Sequence, residues 1–273
     1  MSSLLERLPT GARRGSKPRC HWMTHGDPKD VAARLTQLIA PFGSVSSQDN
    51  WMPEGFEQTD EAELHKAIRL LGDDHCAQIR RWWFAVFRGG LQTGPSFDIA
   101  STCTVNGANA PKPGILLVEA KAHDSELIGE ERGKPLEPYR KNGKVTSGQR
   151  SNHNRIGEVI QATNKPFTEA TTFRWSLSRE ARYQMSNRFA SACKLVELGH
   201  PVILVYLGFL NAKEMLDRGS PIETHAKWDL LVKSHSEPLF PAAVWNQQWT
   251  LHGQSFVPLI RSVEWLLNPK IKA

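Results

Sequence analysis

Residues 115–122 read Ile-Leu-Leu-Val-Glu-Ala-Lys-Ala, an apolar run closed by a carboxylate and an ammonium two positions apart. In a strand the side chains alternate between faces, so Ile115, Leu117, Glu119 and Lys121 share one. A packed face that ends in Glu119 and Lys121 buries charge, which is costly unless partners or a metal compensate it. Asp98, between Phe97 and Ile99 in an earlier β-rich stretch, supplies a second carboxylate if the two stretches pair. Two carboxylates with open positions suit Mg²⁺, a hard ion that keeps several waters and shares phosphate oxygens. Such an ion polarises a phosphodiester and lowers the pKa of an attacking water, while Lys121 orients that water or stabilises growing negative charge. Without metal, two converging carboxylates raise each other's pKa, so neutralising either is expected to leave the metal-free protein as stable or more so.

At these residues the chain resembles the PD-(D/E)xK nuclease superfamily. Asp98 matches its first acid and Glu119-Ala120-Lys121 its second acid and lysine; the literal Pro-Asp pair is missing, because Pro95 lies three residues before Asp98. The resemblance covers roughly 59–210 and implies a restriction-endonuclease-like α/β fold: a three-layer core with a mixed central sheet flanked by helices. It also implies a metal-dependent nuclease, with Mg²⁺ (replaceable by Mn²⁺) held by Asp98, Glu119 and the Ala120 backbone carbonyl. The expected substrate is nucleic acid, DNA in preference to RNA, cut internally in defence, repair or recombination. The family often carries an extra acid on the first helix, where Glu61 faces inward with Leu64, Ile68 and Leu71; a first-turn Glu also suits the helix dipole. It often carries a polar residue on the later helix, where Gln184 and Arg188 flank the buried stripe and reach for phosphate or orient Lys121, unless they are a half-solvated flank. A non-catalytic nucleic-acid-binding protein of this fold, or an interaction module with an accidental Glu-x-Lys, remains the alternative.

These groups need a scaffold, and the periodicity supplies one. Asp27-Pro28 opens a helix that closes at Pro41, a second runs over 60–71, and a third over 74–87. Strands follow at 96–105 and 115–122, then a polar insertion over about 123–177. A long helix at 178–198 stops at Gly199, and 201–209 is apolar throughout, as in a strand covered on both faces. Asn211 and Glu214 form a capping-box signature for a helix ending at Gly219. The Trp-rich remainder of 211–273 reads as a peripheral extension. Residues 27–273 thus form one domain, preceded by a basic arm (1–26) in which Arg13, Arg14 and Lys17 either contact phosphate or belong to an idle, loosely docked terminus.

Composition narrows the class. Among 273 residues, 34 Lys and Arg exceed 28 Asp and Glu, for a net charge of +6 that favours polyanionic partners without specifying fold. No apolar run is long enough to cross a bilayer, so no membrane partner is expected, and a homodimer is left open. The four cysteines are scattered, which fits a reducing cytoplasm and not a disulfide framework. Cys20, His21 and His25 have ligand-like spacing without the second half of a zinc site. His75, Cys76 and His123 read as ordinary helix and loop residues, and Trp82-Trp83 as core more than as a base-stacking platform. The basic residues within 132–155 either track a phosphate backbone or face solvent beside acids.

Overall fold

Residues 202–210 read Val-Ile-Leu-Val-Tyr-Leu-Gly-Phe-Leu, and a strand of that composition must be covered on both sides. Val202, Leu204 and Tyr206 enter one buried cluster, while Ile203, Val205, Leu207 and Phe209 enter another. The computed structural model describes residues 2–89, 92–107, 110–129, 132–138 and 143–267. Parts of the expected insertion (130–131 and 139–142) and the end of the expected extension (268–273) lie outside the described residues. The helices are α1 (Ser2–Leu5), α2 (Ser16–Met23), α3 (Pro28–Ile39), α4 (Ile68–Trp83), α5 (Asp124–Ile128), α6 (Ser147–Ala162), α7 (Asn164–Thr171), α8 (Tyr183–Glu197) and α9 (His225–Ser236). The strands are β1 (Gly43–Ser44), β2 (Trp51–Met52), β3 (Ala62–Glu63), β4 (Ser96–Phe97), β5 (Ile99–Val105), β6 (Lys112–Lys121), β7 (Val202–Leu210), β8 (Trp249–Leu251) and β9 (Gln254–Glu264).

The main sheet runs β1-β5-β6-β7-β9-β8, with β2 also paired to β5. The β5–β6 pair is antiparallel, whereas β6–β7 and β7–β9 are parallel, so the sheet is mixed. On one face α2 and α3 pack Cys20, Met23, Val31, Leu35 and Ile39 onto Val118 and Val205. The other face carries α4, α6, α7, α8 and α9 against Leu117, Leu204, Tyr206 and Ile260. The architecture is therefore α/β, a mixed central sheet between two helical layers. Among the described residues, no helix is long and apolar enough to cross a membrane.

Several elements depart from the periodicity for identifiable reasons. No helix occupies 60–67. Ala62 and Glu63 pair with Phe97 and Ser96, and the Leu64 N–H donates to the Pro95 carbonyl at 2.9 Å. This non-local pairing outweighs the helical spacing, so α4 begins only at Ile68; it bends at Gly72 (φ 75°) and ends at Trp83, not at Phe87. The insertion is largely helical. α6 closes a capping box between Thr146 and Gln149 and buries Ile156, Val159 and Ile160. α8 starts at Tyr183 because Arg182 is left-handed (φ 45°), and Gly199 (φ 95°) provides the expected stop. The 211–273 stretch is not peripheral: β9 extends the sheet beside β7, and Trp228 and Trp245 are core residues.

The basic arm is a docked element. The guanidinium of Arg19 is 0% exposed; it donates to both carboxylate oxygens of Glu214 at 2.5 and 3.1 Å and to the carbonyls of Trp265 and Gly15 at 2.8 Å. Glu214 is thereby drawn away from the expected capping box, and only a 3₁₀ turn (Lys213–Met215) forms there, after a left-handed Asn211 (φ 57°). Arg14 pairs with Asp217 at 2.6 Å, Lys17 with Glu61 at 2.9 Å, and Arg13 donates to the Leu8 carbonyl at 2.9 Å. Substituting Glu214→Ala removes a charged acceptor from a buried guanidinium and is expected to cost about 1.5–3 kcal/mol. Urea unfolding measures this, and an unchanged midpoint would mean that the arm is loosely attached.

Candidate active site

The hairpin of β5 and β6 sets the register. Ile99 lies opposite Val118, so continuing the ladder by one step brings Asp98 beside Glu119. The chain bends at Asp98 because Ser96 and Phe97 leave the main sheet to pair with β3. The Oδ2 of Asp98 accepts the Ala120 N–H at 2.7 Å, which ties the first acid to the Glu-Ala-Lys segment of the strand. Along β6 the alternation holds: Ile115 and Leu117 enter the cluster under α8, and Leu116, Val118 and Ala120 enter the opposite one. Glu119 and Lys121 continue the α8-facing row at 1% and 6% exposure.

Burial of that row is compensated by side chains from α8. Lys121 Nζ donates to Glu119 Oε1 at 2.6 Å, Gln184 Nε2 to the same oxygen at 2.5 Å, and Arg188 Nε to Oε2 at 2.5 Å. Gln184 and Arg188 lie four apart and therefore one above the other on the helix. Arg188 also lies over the Phe97 ring at 4.9 Å, a favourable placement for a guanidinium. Arg188 is buried, whereas Gln184 is partly exposed, so the half-solvated flank that the pattern allows holds for Gln184 alone. Gln184, Arg188, Asp98, Glu119, Ala120 and Lys121 therefore meet at one end of the β5–β6 hairpin. The other candidates do not join them. Glu61 is on no helix: it precedes β3, with its side chain 42% exposed on Lys17. Arg13, Arg14 and Lys17 are engaged within the chain, as described above. Cys20 is buried, and His21 Nδ1 contacts the Gly55 carbonyl at 2.8 Å, so those two residues serve packing.

The two acids experience opposite fields. Burial, then the charge of Glu119, pushes Asp98 up to about 7, against the pull of Lys121, the Ala120 N–H and Arg188. Burial also works against the Glu119 carboxylate, but Arg188 and Lys121 outweigh it and hold that group below its ordinary range. Glu119 in turn holds Arg188 charged despite burial. Burial and the charge of Glu119 thus prevail at Asp98 alone, and neutralising Glu119, unlike neutralising Asp98, is expected to cost stability, because it removes the carboxylate partner of the buried Arg188.

Two neighbours escaped the sequence reading. Glu126 accepts the Ala122 N–H at 2.6 Å and fixes the end of β6; its only signal is an acid in the first turn of α5. His235, at the end of α9, is buried, and burial followed by the charges of Arg182 and Lys121 lowers it to about 4. No local pattern places it near β6.

As metal donors, Asp98 and Glu119 offer hard oxygens, to which the Ala120 carbonyl adds a third. Among the described residues, no group of three or more His, Cys, Asp or Glu is placed to hold a metal. Two carboxylates are the kind of donor that Mg²⁺ takes from protein while keeping its waters, and they lack the His and Cys ligands of a zinc cage. Glu119 already accepts a donor on each oxygen.

The pKa directions predict stability. Asp98 is raised in the fold, so its favourable contribution is complete below its ordinary value of 3.8 and is lost as pH rises towards about 7. Glu119 is lowered, so its contribution is present above 4.5 and is lost as pH falls through its folded value. In metal-free thermal melts, Asp98→Asn is expected to gain on the wild type between roughly pH 4 and 7. Glu119→Gln is expected to lose about 3–5 kcal/mol at neutral pH, the range for a broken buried pair. Equal behaviour of the two variants would contradict the assigned fields. No family model matches the chain, and no match is found among curated proteins or among solved structures.

Proposed function

We propose that the chain is a Mg²⁺-dependent nuclease that hydrolyses phosphodiester bonds, with DNA as the favoured substrate and internal cleavage as the favoured mode. The observation that carries this reading is the convergence of Asp98, Glu119 and Lys121. An acid from one strand is hydrogen-bonded at 2.7 Å into the Glu-Ala-Lys segment of its antiparallel partner, and the lysine is 2.6 Å from the second acid. The order α4, β5–β6, α8 and β7, with β7 parallel to β6, supports a restriction-endonuclease-like core in which two of the three successive strands lie in the main sheet and α5–α7 are inserted before α8. A basic chain of net charge +6 suits a polyanion.

In this reading Asp98, Glu119 and the Ala120 carbonyl hold the ion, which when bound polarises the phosphate and acidifies a water. Lys121, a compact point charge on the same strand face, orients the attacking water or stabilises charge on the phosphate. The raised Asp98 is the acid that gains most from a cation, because a nearby positive charge favours its ionised form. Gln184 fixes the Glu119 carboxylate from α8 by its 2.5 Å bond to Oε1.

The test is a supercoiled plasmid incubated with Mg²⁺ or Mn²⁺ and with a chelator. Metal-dependent nicking or linearisation is expected, and Lys121→Ala is expected to cut about 100-fold or more slowly. Binding by that variant should be largely retained, because most affinity comes from distributed phosphate contacts. Binding without cutting by the wild type would indicate a non-catalytic nucleic-acid-binding protein. Neither binding nor cutting would make Glu119 and Lys121 a structural pair only.

A further inference from the structure

Arg188, which the sequence marks as a candidate phosphate contact, makes the most direct claim on the site. Its Nε occupies Glu119 Oε2 at 2.5 Å, while Lys121 and Gln184 occupy Oε1. Oε1 thus accepts two donors and Oε2 only one, so a divalent ion approaches at Oε2 and meets the positive guanidinium of Arg188 there. Releasing this one side chain opens Oε2 while Lys121 and Gln184 keep the carboxylate in place. The guanidinium is buried and lies 4.9 Å over the ring of Phe97, the residue next to Asp98, so it is already beside both acids. A guanidinium displaced there without an anion would be an uncompensated buried charge. A phosphate oxyanion is the group whose geometry the planar fork matches best.

We propose that Arg188 is a counter-ion exchanged between Glu119 and the substrate phosphate, so that divalent metal and phosphate bind this site cooperatively. This rests on the nuclease reading and adds a coupling to it. The ion pair blocks metal in the free protein. Phosphate draws the guanidinium off Oε2 and metal takes its place. Because linkage is reciprocal, metal tightens phosphate by the same factor. Arg188 is a positioning residue with respect to the metal and a binding residue with respect to the phosphate. A purely structural ion pair has the opposite consequence, since its loss would loosen Glu119 and weaken metal binding.

The experiment titrates the full chain with Mn²⁺, following bound ion by electron paramagnetic resonance at known free Mn²⁺, with and without inorganic phosphate. In the wild type, phosphate is expected to tighten Mn²⁺ about fivefold or more, within the ordinary range of such couplings. Arg188→Gln is expected to bind Mn²⁺ more tightly than the wild type without phosphate and to lose most of the phosphate effect. Glu119→Gln is expected to lose the binding altogether. Should Arg188→Gln fail to fold, the phosphate dependence of the wild type decides alone. Wild-type Mn²⁺ binding indifferent to phosphate overturns the exchange and leaves the nuclease reading standing, as does weaker Mn²⁺ binding by a folded Arg188→Gln. No Mn²⁺ binding by either protein under any condition, or binding that survives in Glu119→Gln, overturns both.

Discussion

A carboxylate taken out of water must be given back its interactions, and the protein does this for Glu119 with three donors. Two come from the neighbouring helix and one from the same strand face, at 2.5 to 2.6 Å. That requirement organises the region around it. It fixes the rotation of α8, because Gln184 and Arg188 must both point at β6 while Met185 and Phe189 fill the core. β7 runs alongside, with Tyr206 opposite Glu119. The same requirement also sets the local field: Lys121 and Arg188 each act on both Asp98 and Glu119. Of the two acids only Asp98 is left in an unfavourable field, and it is the acid for which an added cation would do most.

A second buried ion pair, Arg19 with Glu214, fastens the other helical layer. It ties the first 26 residues to the segment that follows β7, and through the Trp265 carbonyl to the end of β9. The N-terminal segment is consequently part of the body, and its basic residues are spent on carboxylates and carbonyls of the same chain. Any polyanion contact by Arg14 or Lys17 would compete with Asp217 or Glu61, exposed partners in solvent-screened pairs that contribute little. The arm is therefore anchored by buried Arg19 together with the packed side chains of Leu5, Leu8, Cys20 and Met23, and its surface pairs are weak enough to exchange.

The sequence made the local features legible and left the non-local ones obscure. The period of two in residues 115–122 places Glu119 and Lys121 on the packed face, and the Asp27-Pro28 signal places α3, whose N-cap accepts the Lys29 N–H at 2.8 Å. The apolar run of β7 reads correctly because burial on both faces leaves no polar position to misread. Glu61 failed because four residues of helical spacing compete with a pairing partner more than thirty residues away, and the pairing wins. Asn211 and Glu214 failed for the same kind of reason: a buried guanidinium is a stronger partner than a helix N-terminus. α6 is hard to see because several of its buried positions are polar, with Gln149 and Asn152 bonded to the Glu137 and Val86 carbonyls. The role of Arg188 needs the distance between α8 and β6, which no single-strand or single-helix pattern contains.

The account stands or falls on whether the carboxylates of Asp98 and Glu119 share one divalent ion. Anomalous diffraction from crystals soaked in Mn²⁺ with a short oligonucleotide measures this directly. The account predicts an anomalous peak within about 2.0–2.3 Å of both carboxylates, at hard-ion bonding distance. It also predicts that Arg188 leaves Glu119 Oε2 for a phosphate oxygen. Full Mn²⁺ occupancy elsewhere, with Glu119 still held by Lys121, Gln184 and Arg188, would contradict it.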